Sequence, residues 1–239
     1  MRFYRPLGPV RAMTFDLDDT LYNNEPVIRA AEQALQQHIA RTHSHAARLS
    51  PADWQSIKRR HLQRNPRLMS DMGQLRRDVL NDALTSDIAD EATRSEAVQV
   101  CFDCFYDARS AFSLDPLVHD TLAALAARIP LVGITNGNVD AQKIGINGYF
   151  QEIFHASLVR PMKPHRHMFD EAVALLGIEA AHILHVGDNL EKDVYGAIAA
   201  GKQAAWFACN RTMDLRSETV QALPHVQLDC LSELTRLIS

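Results

Sequence analysis

The sequence predicts an α/β fold, a Rossmann-like parallel sheet core with a block of helices inserted near its start. Three features carry this. Apolar, β-capable runs recur at 10–15, 130–135, 183–187 and 203–207, the profile of strands buried on both faces. From Asp115 onward helical and strand patterns alternate, the rhythm of a parallel sheet. Between Pro26 and about Ser110 the pattern is helical throughout. That assigns 23–110 to a helical domain and 1–22 with 111–239 to the α/β domain.

The elements follow in order. Val10–Phe15 is the first strand, and it ends where Asp16-Leu17-Asp18-Asp19-Thr20 begins. Tyr22-Asn23-Asn24-Glu25-Pro26 then leaves the strand end as a polar, Pro-punctuated passage. Helices are expected from Pro26 to about Arg41, from Pro51 with Ser50 as N-cap and Asp53 in the first turn, from Met72 to Leu84, and from Glu91 to Arg109. An insertion that starts directly after the acidic strand end is placed to hang over it as a lid. Asp115 caps a helix opening at Pro116, and the strand Pro130–Thr135 ends in Asn136-Gly137. A weaker strand at Ile153–Ser157 precedes a helix from Arg166 to Leu176 that stops at Gly177. A buried strand from Ile183 ends in Gly187-Asp188, another covers Gln203–Phe207, and a closing helix spans Leu231–Ile238.

Composition narrows the function classes. A net charge of −4 argues against a nucleic-acid or membrane-surface footprint. No apolar run approaches the ~20 residues of a membrane span, and Met1–Pro6 lacks the apolar stretch of a secretory signal. A cytoplasmic location is therefore expected. Four cysteines make no disulfide framework. Cys101 and Cys104 read as buried helix positions, and the eleven histidines as surface or core residues without a ligand set.

The chemistry gathers at strand ends. A strand period of two puts Asp16 and Asp18 on one side of the backbone, and two close carboxylates repel unless a cation or shared proton relieves them. Carboxylate oxygens suit Mg²⁺, and an ionised Asp beside it can act as a nucleophile toward phosphorus. Asp188 ends another strand and could share the ion. Thr135 and Asn136 can donate to phosphate oxygens without adding charge. Lys163, before Pro164, offers an ammonium to balance carboxylates and phosphate. Asp18 could protonate a leaving alkoxide and later activate water. In parallel sheets ligands bind at the carboxyl ends of strands, where these residues fall.

The set Asp16-Leu17-Asp18-Asp19-Thr20, Thr135-Asn136-Gly137, Lys163-Pro164 and Gly187-Asp188-Asn189 with Asp193 resembles the four motifs of the haloacid dehalogenase-like hydrolases. The insertion resembles that superfamily's C1-type cap. By this resemblance Asp16 is the nucleophile and Asp18 the general acid/base, whose backbone carbonyl also reaches Mg²⁺. Thr135 and Lys163 bind the phosphoryl group, Asp188 ligates the metal, and Asp193 supports it from behind. True dehalogenases of the superfamily lack an acid at the position of Asp18, so Asp18 favours a phosphatase. Phe3–Gly8, Thr14–Tyr22, Ile134–Asn138 and Leu184–Asp188 further resemble bacterial flavin mononucleotide phosphatases of riboflavin metabolism, which also act on the phosphorylated ribitylaminouracil precursor. Specificity is expected in the cap, with Arg76 and Arg77, Trp54 and Tyr106 as candidates, together with Tyr22. Alternatives are a phosphatase for sugar phosphates or phosphoglycolate, a phosphomutase, and a phospholigand-binding regulatory protein.

Overall fold

The computed structural model describes residues 1–238. The chain divides into two compact units, one formed by Met1–Asn24, Ser113–Gly137 and Ile144–Ser239, the other by Glu25–Phe112 with Asn138–Lys143. The divisions fall two residues beyond the sequence boundaries, and 138–143 groups with the helical unit instead of the α/β unit. There Asp140 donates its backbone N–H to Ser110 Oγ at 3.0 Å and Lys143 pairs with Asp107.

The α/β unit is built on seven strands among the described residues: β1 (Arg2–Phe3), β2 (Ala12–Phe15), β3 (Leu131–Thr135), β4 (Glu152–His155), β5 (Ile183–Gly187), β6 (Gln203–Trp206) and β7 (Val226–Gln227). Their spatial order is β1-β7-β6-β5-β2-β3-β4, and only the β1–β7 pairing is antiparallel. Every residue of β2, β3, β5 and β6 is buried, which is why these strands read as unbroken apolar runs rather than alternating ones. The short strands β1, at one edge, and β7, between β1 and β6, were not expected; two residues each carry no periodicity to read. Register decides the rest. Phe15 lies opposite both Gly133 and Val186, so β2, β3 and β5 end together and the residues beyond them share one mouth.

Helices α5 (Pro116–Ala126) and α6 (His167–Leu176) flank the sheet in sequence, with Asp115 accepting from Leu117 N–H as N-cap and Gly177 closing α6 at φ 62°. That left-handed backbone favours glycine. The expected closing helix is a 3₁₀ segment, Leu231–Arg236. Side chains three apart eclipse in such a helix, which lets Leu231 and Leu234 bury together.

In the helical unit, α1 (Asn24–Thr42), α2 (Pro51–Arg64), α3 (Met72–Ala83) and α4 (Glu91–Arg109) form a core of Leu35, Ile39, Leu80, Leu84, Val98, Cys101, Phe102 and Phe105 with smaller residues. α2 opens with a reciprocal capping box between Ser50 and Asp53. Cys101 is fully buried, while Cys104 is half-buried with Sγ 3.7 Å from the Ala34 carbonyl.

One buried group works against stability. Lys202 is 3 % exposed, its Nζ has no hydrogen-bond partner, and it lies 5.9 Å from the Phe169 ring centroid. Burial pushes its pKa down to about 7, against a smaller pull from Asp170. The unfolded chain therefore binds more protons than the folded one between about pH 7 and 10.4, and stability rises with pH across that window. Lys202→Met is expected to add on the order of 3 kcal/mol near pH 7, a gain that shrinks toward pH 10.4 in urea unfolding. A gain independent of pH would contradict this account.

Candidate active site

The site grows from the end of β2. Asp16 continues the strand, donating its backbone N–H to the Val186 carbonyl at 2.8 Å. The chain then turns sharply at Asp19, whose φ of 62° is unusual for a residue with a Cβ. The turn is held from several sides: Asp19 N–H donates to Tyr22 O, and its carboxylate accepts from Asn24 N–H and Asn210 Nδ2 at 2.9 and 2.8 Å. Thr20, fully buried, donates its hydroxyl to Asp16 Oδ2 at 3.2 Å.

Lys163 reaches the same point from the loop after β4. Its ammonium, 1 % exposed, contacts Asp16 Oδ1 at 2.6 Å, Asp193 Oδ1 at 2.6 Å and the Ile134 carbonyl at 2.7 Å. Burial acts to lower its pKa, but Asp16 and Asp193 outweigh burial and push it up to about 12. The Lys163-Pro164 peptide is cis. The Asn136 side chain accepts from Lys163 N–H at 2.8 Å and donates to Lys163 O at 3.1 Å, clamping the lysine's backbone.

Asp193 is presented by a π-helical turn, Leu190–Tyr195, opened by Asn189, whose side chain accepts from Glu191 and Lys192 N–H. Such turns recur at functional sites. Asp193 Oδ2 accepts from Asn189 N–H at 3.0 Å, and Oδ1 takes both Lys163 and His185 Nε2, the latter at 3.2 Å. Burial opposes its charge, yet Lys163 and His185 hold it far below the usual carboxylate range. Sequence reasoning missed His185. It is fully buried in β5, with Nδ1 2.8 Å from Thr14 Oγ1. Burial lowers its pKa to about 4 despite Asp193, so it is neutral at pH 7, with Thr14 donating to Nδ1 and Nε2–H donating to Asp193. Arg211 was missed too: it contacts Asp188 Oδ2 at 2.6 Å and Asp188 O at 2.8 Å. Burial and Asp193 raise Asp188 to about 6, against Arg211.

The carboxylates of Asp16, Asp188 and Asp193 lie within 4.8 Å of one another. Burial, only partly offset by Lys163, raises Asp16 well above its ordinary range, and Asp193, Asp188 and Asp18 add to the rise. Acidic charge thus exceeds what Lys163 compensates, and the donors are all hard oxygens, which fits Mg²⁺. Since Asp193 already accepts from three donors, Asp16 and Asp188 are the carboxylates suited to hold the ion. Asp18 accepts from the Tyr22 hydroxyl, which holds the Asp18 carboxylate in place. Gly137 lies beside both Asp18 and Thr135: a Cβ there would fall 2.4 Å from Asp18 Oδ2 and 3.3 Å from Thr135 Oγ1.

Arg76 and Arg77 belong to the helical unit. Their guanidinium carbons lie 3.4 and 3.5 Å from the centroids of Phe105 and Phe102, and Arg76 also pairs with Glu32 at 2.8 Å. Arg76 and Trp54 line a cavity of about 160 Å³ in that unit, while Tyr106 stacks on Phe102.

Gly187 supplies a direct test. A Cβ there would meet Asp193 Cγ at 2.3 Å and Cβ at 2.4 Å. Gly187→Ala should push Asp193 off Lys163 and His185, costing roughly 3–5 kcal/mol for breaking a buried charge pair. Chemical denaturation measures it, and a near-neutral result would show that Asp193 has room to yield.

Residues 10–201 match the model of the haloacid dehalogenase-like hydrolase family. The chain is 34% identical over 238 residues, all of both proteins, to the 5-amino-6-(5-phospho-D-ribitylamino)uracil phosphatase YigB of Escherichia coli (strain K12). It is 28% identical to the phosphoglycolate phosphatase of Pectobacterium atrosepticum over 97% of this chain and 94% of that one. The crystal structure of a 2-haloacid dehalogenase from Pseudomonas syringae pv. Tomato DC3000 superposes with a TM-score of 0.87 at 30% identity, covering 95% of this chain and 97% of the other. With its motif residues gathered around the carboxyl ends of β2, β3 and β5, the chain belongs to the haloacid dehalogenase-like hydrolase family and is a phosphatase.

Proposed function

We propose that this phosphatase is Mg²⁺-dependent, works through an aspartyl-phosphate on Asp16, and acts on flavin mononucleotide or the phosphorylated ribitylaminouracil precursor of riboflavin. The observation that carries the mechanism is the fixing of Asp16 by Lys163 on one oxygen and Thr20 on the other, with a second acid two residues on. The substrate class rests on full-length similarity to a relative named for that uracil phosphatase. Similarity to the P. syringae dehalogenase leaves a halide-releasing reading to separate. Asp18 favours the phosphatase, because a departing alkoxide needs a proton and a halide does not.

Asp16 attacks phosphorus, and the P–O bond to the alcohol breaks as the new Asp16–O–P bond forms. Asp18 gives its proton to the departing oxygen, then takes one from the water that attacks the phospho-aspartate. Inorganic phosphate leaves and Asp16 is regenerated. Lys163 and the Thr135 hydroxyl offset charge on the phosphoryl oxygens, where fixed donors act most strongly in a dry site. Asp16, Asp188 and the Asp18 carbonyl would hold Mg²⁺, which when bound would supply further positive charge beside the phosphoryl group. His185 and Asn136 keep Asp193 and Lys163 in place.

Phosphate release from a panel of esters, with Mg²⁺ or chelator, tests this. Asp16→Asn should abolish turnover, and Asp18→Asn should lower kcat by about 10²–10⁴-fold, less for p-nitrophenyl phosphate, whose leaving group needs little protonation. Tyr22→Phe should reduce kcat by about tenfold with KM nearly unchanged. Turnover led by another ester would discard the substrate and keep the mechanism. Activity in Asp16→Asn would discard the nucleophile, and halide release from a 2-haloacid would favour the dehalogenase reading.

A further inference from the structure

The helical unit holds a side-chain cluster that the phosphatase chemistry does not use. His38 lies near the end of α1, His43 just beyond it, and Cys101 in the middle of α4. One imidazole nitrogen from each histidine and the Cys101 sulfur lie within 4.8 Å of one another. The two rings are 6.4 Å apart at 63°. Neither ring nor the thiol makes a hydrogen bond among the described residues, so their lone pairs are uncommitted. Both histidines are half-buried whereas Cys101 is fully buried, which opens the cluster to solvent from the imidazole side only.

We propose that His38, His43 and Cys101 form a binding site for a divalent transition-metal ion of the Zn²⁺ class. Two imidazoles and a thiolate are borderline-soft donors, a set that selects Zn²⁺ over Mg²⁺. Zn–N bonds of about 2.0 Å and Zn–S bonds of about 2.3 Å put tetrahedral ligand atoms about 3.5 Å apart. Closure on an ion therefore asks for a movement of about an ångström, within reach of χ rotation in two partly exposed histidines. Cys101 would exchange its S–H proton for the metal, releasing that proton to solvent. Asp87 stays outside the ligand set, its two oxygens accepting from His45 and Ala46 N–H at 2.8 Å each, so the fourth position falls to water. The ion would tie the end of α1 to α4. It is independent of the phosphatase reading, since Asp16, Asp18 and Asp188 take no part.

The experiment is Co²⁺ titration of the full-length, chelator-stripped protein, followed by displacement with Zn²⁺. A thiolate-to-Co²⁺ charge-transfer band is expected, and Zn²⁺ should remove it. An all-oxygen site gives no such band, so Asp188→Asn should retain it while losing phosphatase activity. Cys101→Ser should lose the band, and the double variant His38→Gln/His43→Gln should weaken Zn²⁺ binding at least about tenfold without change in phosphate release. Absence of the band in the wild-type protein would overturn the site even if the variants fail to fold. A band of undiminished affinity in the double histidine variant would overturn it as well, placing the thiolate elsewhere among the four cysteines.

Discussion

The α/β unit depends on the burial of one ammonium. A charge removed from water is costly unless it is paired and hydrogen-bonded, and Lys163 meets that condition with Asp16, Asp193 and the Ile134 carbonyl. The three acceptors come from the end of β2, the turn after β5 and β3 itself. They coincide only because Phe15 aligns with both Gly133 and Val186. A slip of one residue in either pairing would strand a buried cation, so sheet register and site geometry enforce each other.

Around that pair lie residues whose work is indirect. Asn136 grips the Lys163 backbone from both sides, and Thr14, His185 and Asn189 fix Asp193. A neutral imidazole suits this better than a second cation, which would compete with Lys163 for Asp193. Gly137 and Gly187 leave room for the acids that press against them. The result is rigid donors on one side and surplus acidic charge on the other, an arrangement suited to a dication and a phosphoryl group together.

The helical unit follows different physics. Its arginines at 76 and 77 lie over phenylalanine rings rather than standing as exposed charges, covering apolar faces while keeping their charge. Its half-buried histidines beside a buried thiol give it donor chemistry distinct from the all-oxygen cluster on the sheet.

The sequence by itself determined the kind of fold and the identities of the reactive side chains. Buried parallel strands must be apolar along their whole length, and caps such as Ser50-Pro51 and Asp115-Pro116 act within a few residues, so both signals are local. The strand-ending acids Asp16 and Asp188 were legible for the same reason. Only the tertiary structure decided what those side chains touch. It turned Asn136 toward the Lys163 backbone and Tyr22 toward Asp18. It also brought His185, Arg211 and the His38–His43–Cys101 cluster to partners 5 to 171 residues away. The short strands β1 and β7 and the 3₁₀ end belong with these. Two paired residues, or one eclipsed turn, have no periodicity of their own and exist only because the neighbouring chain supplies their hydrogen bonds.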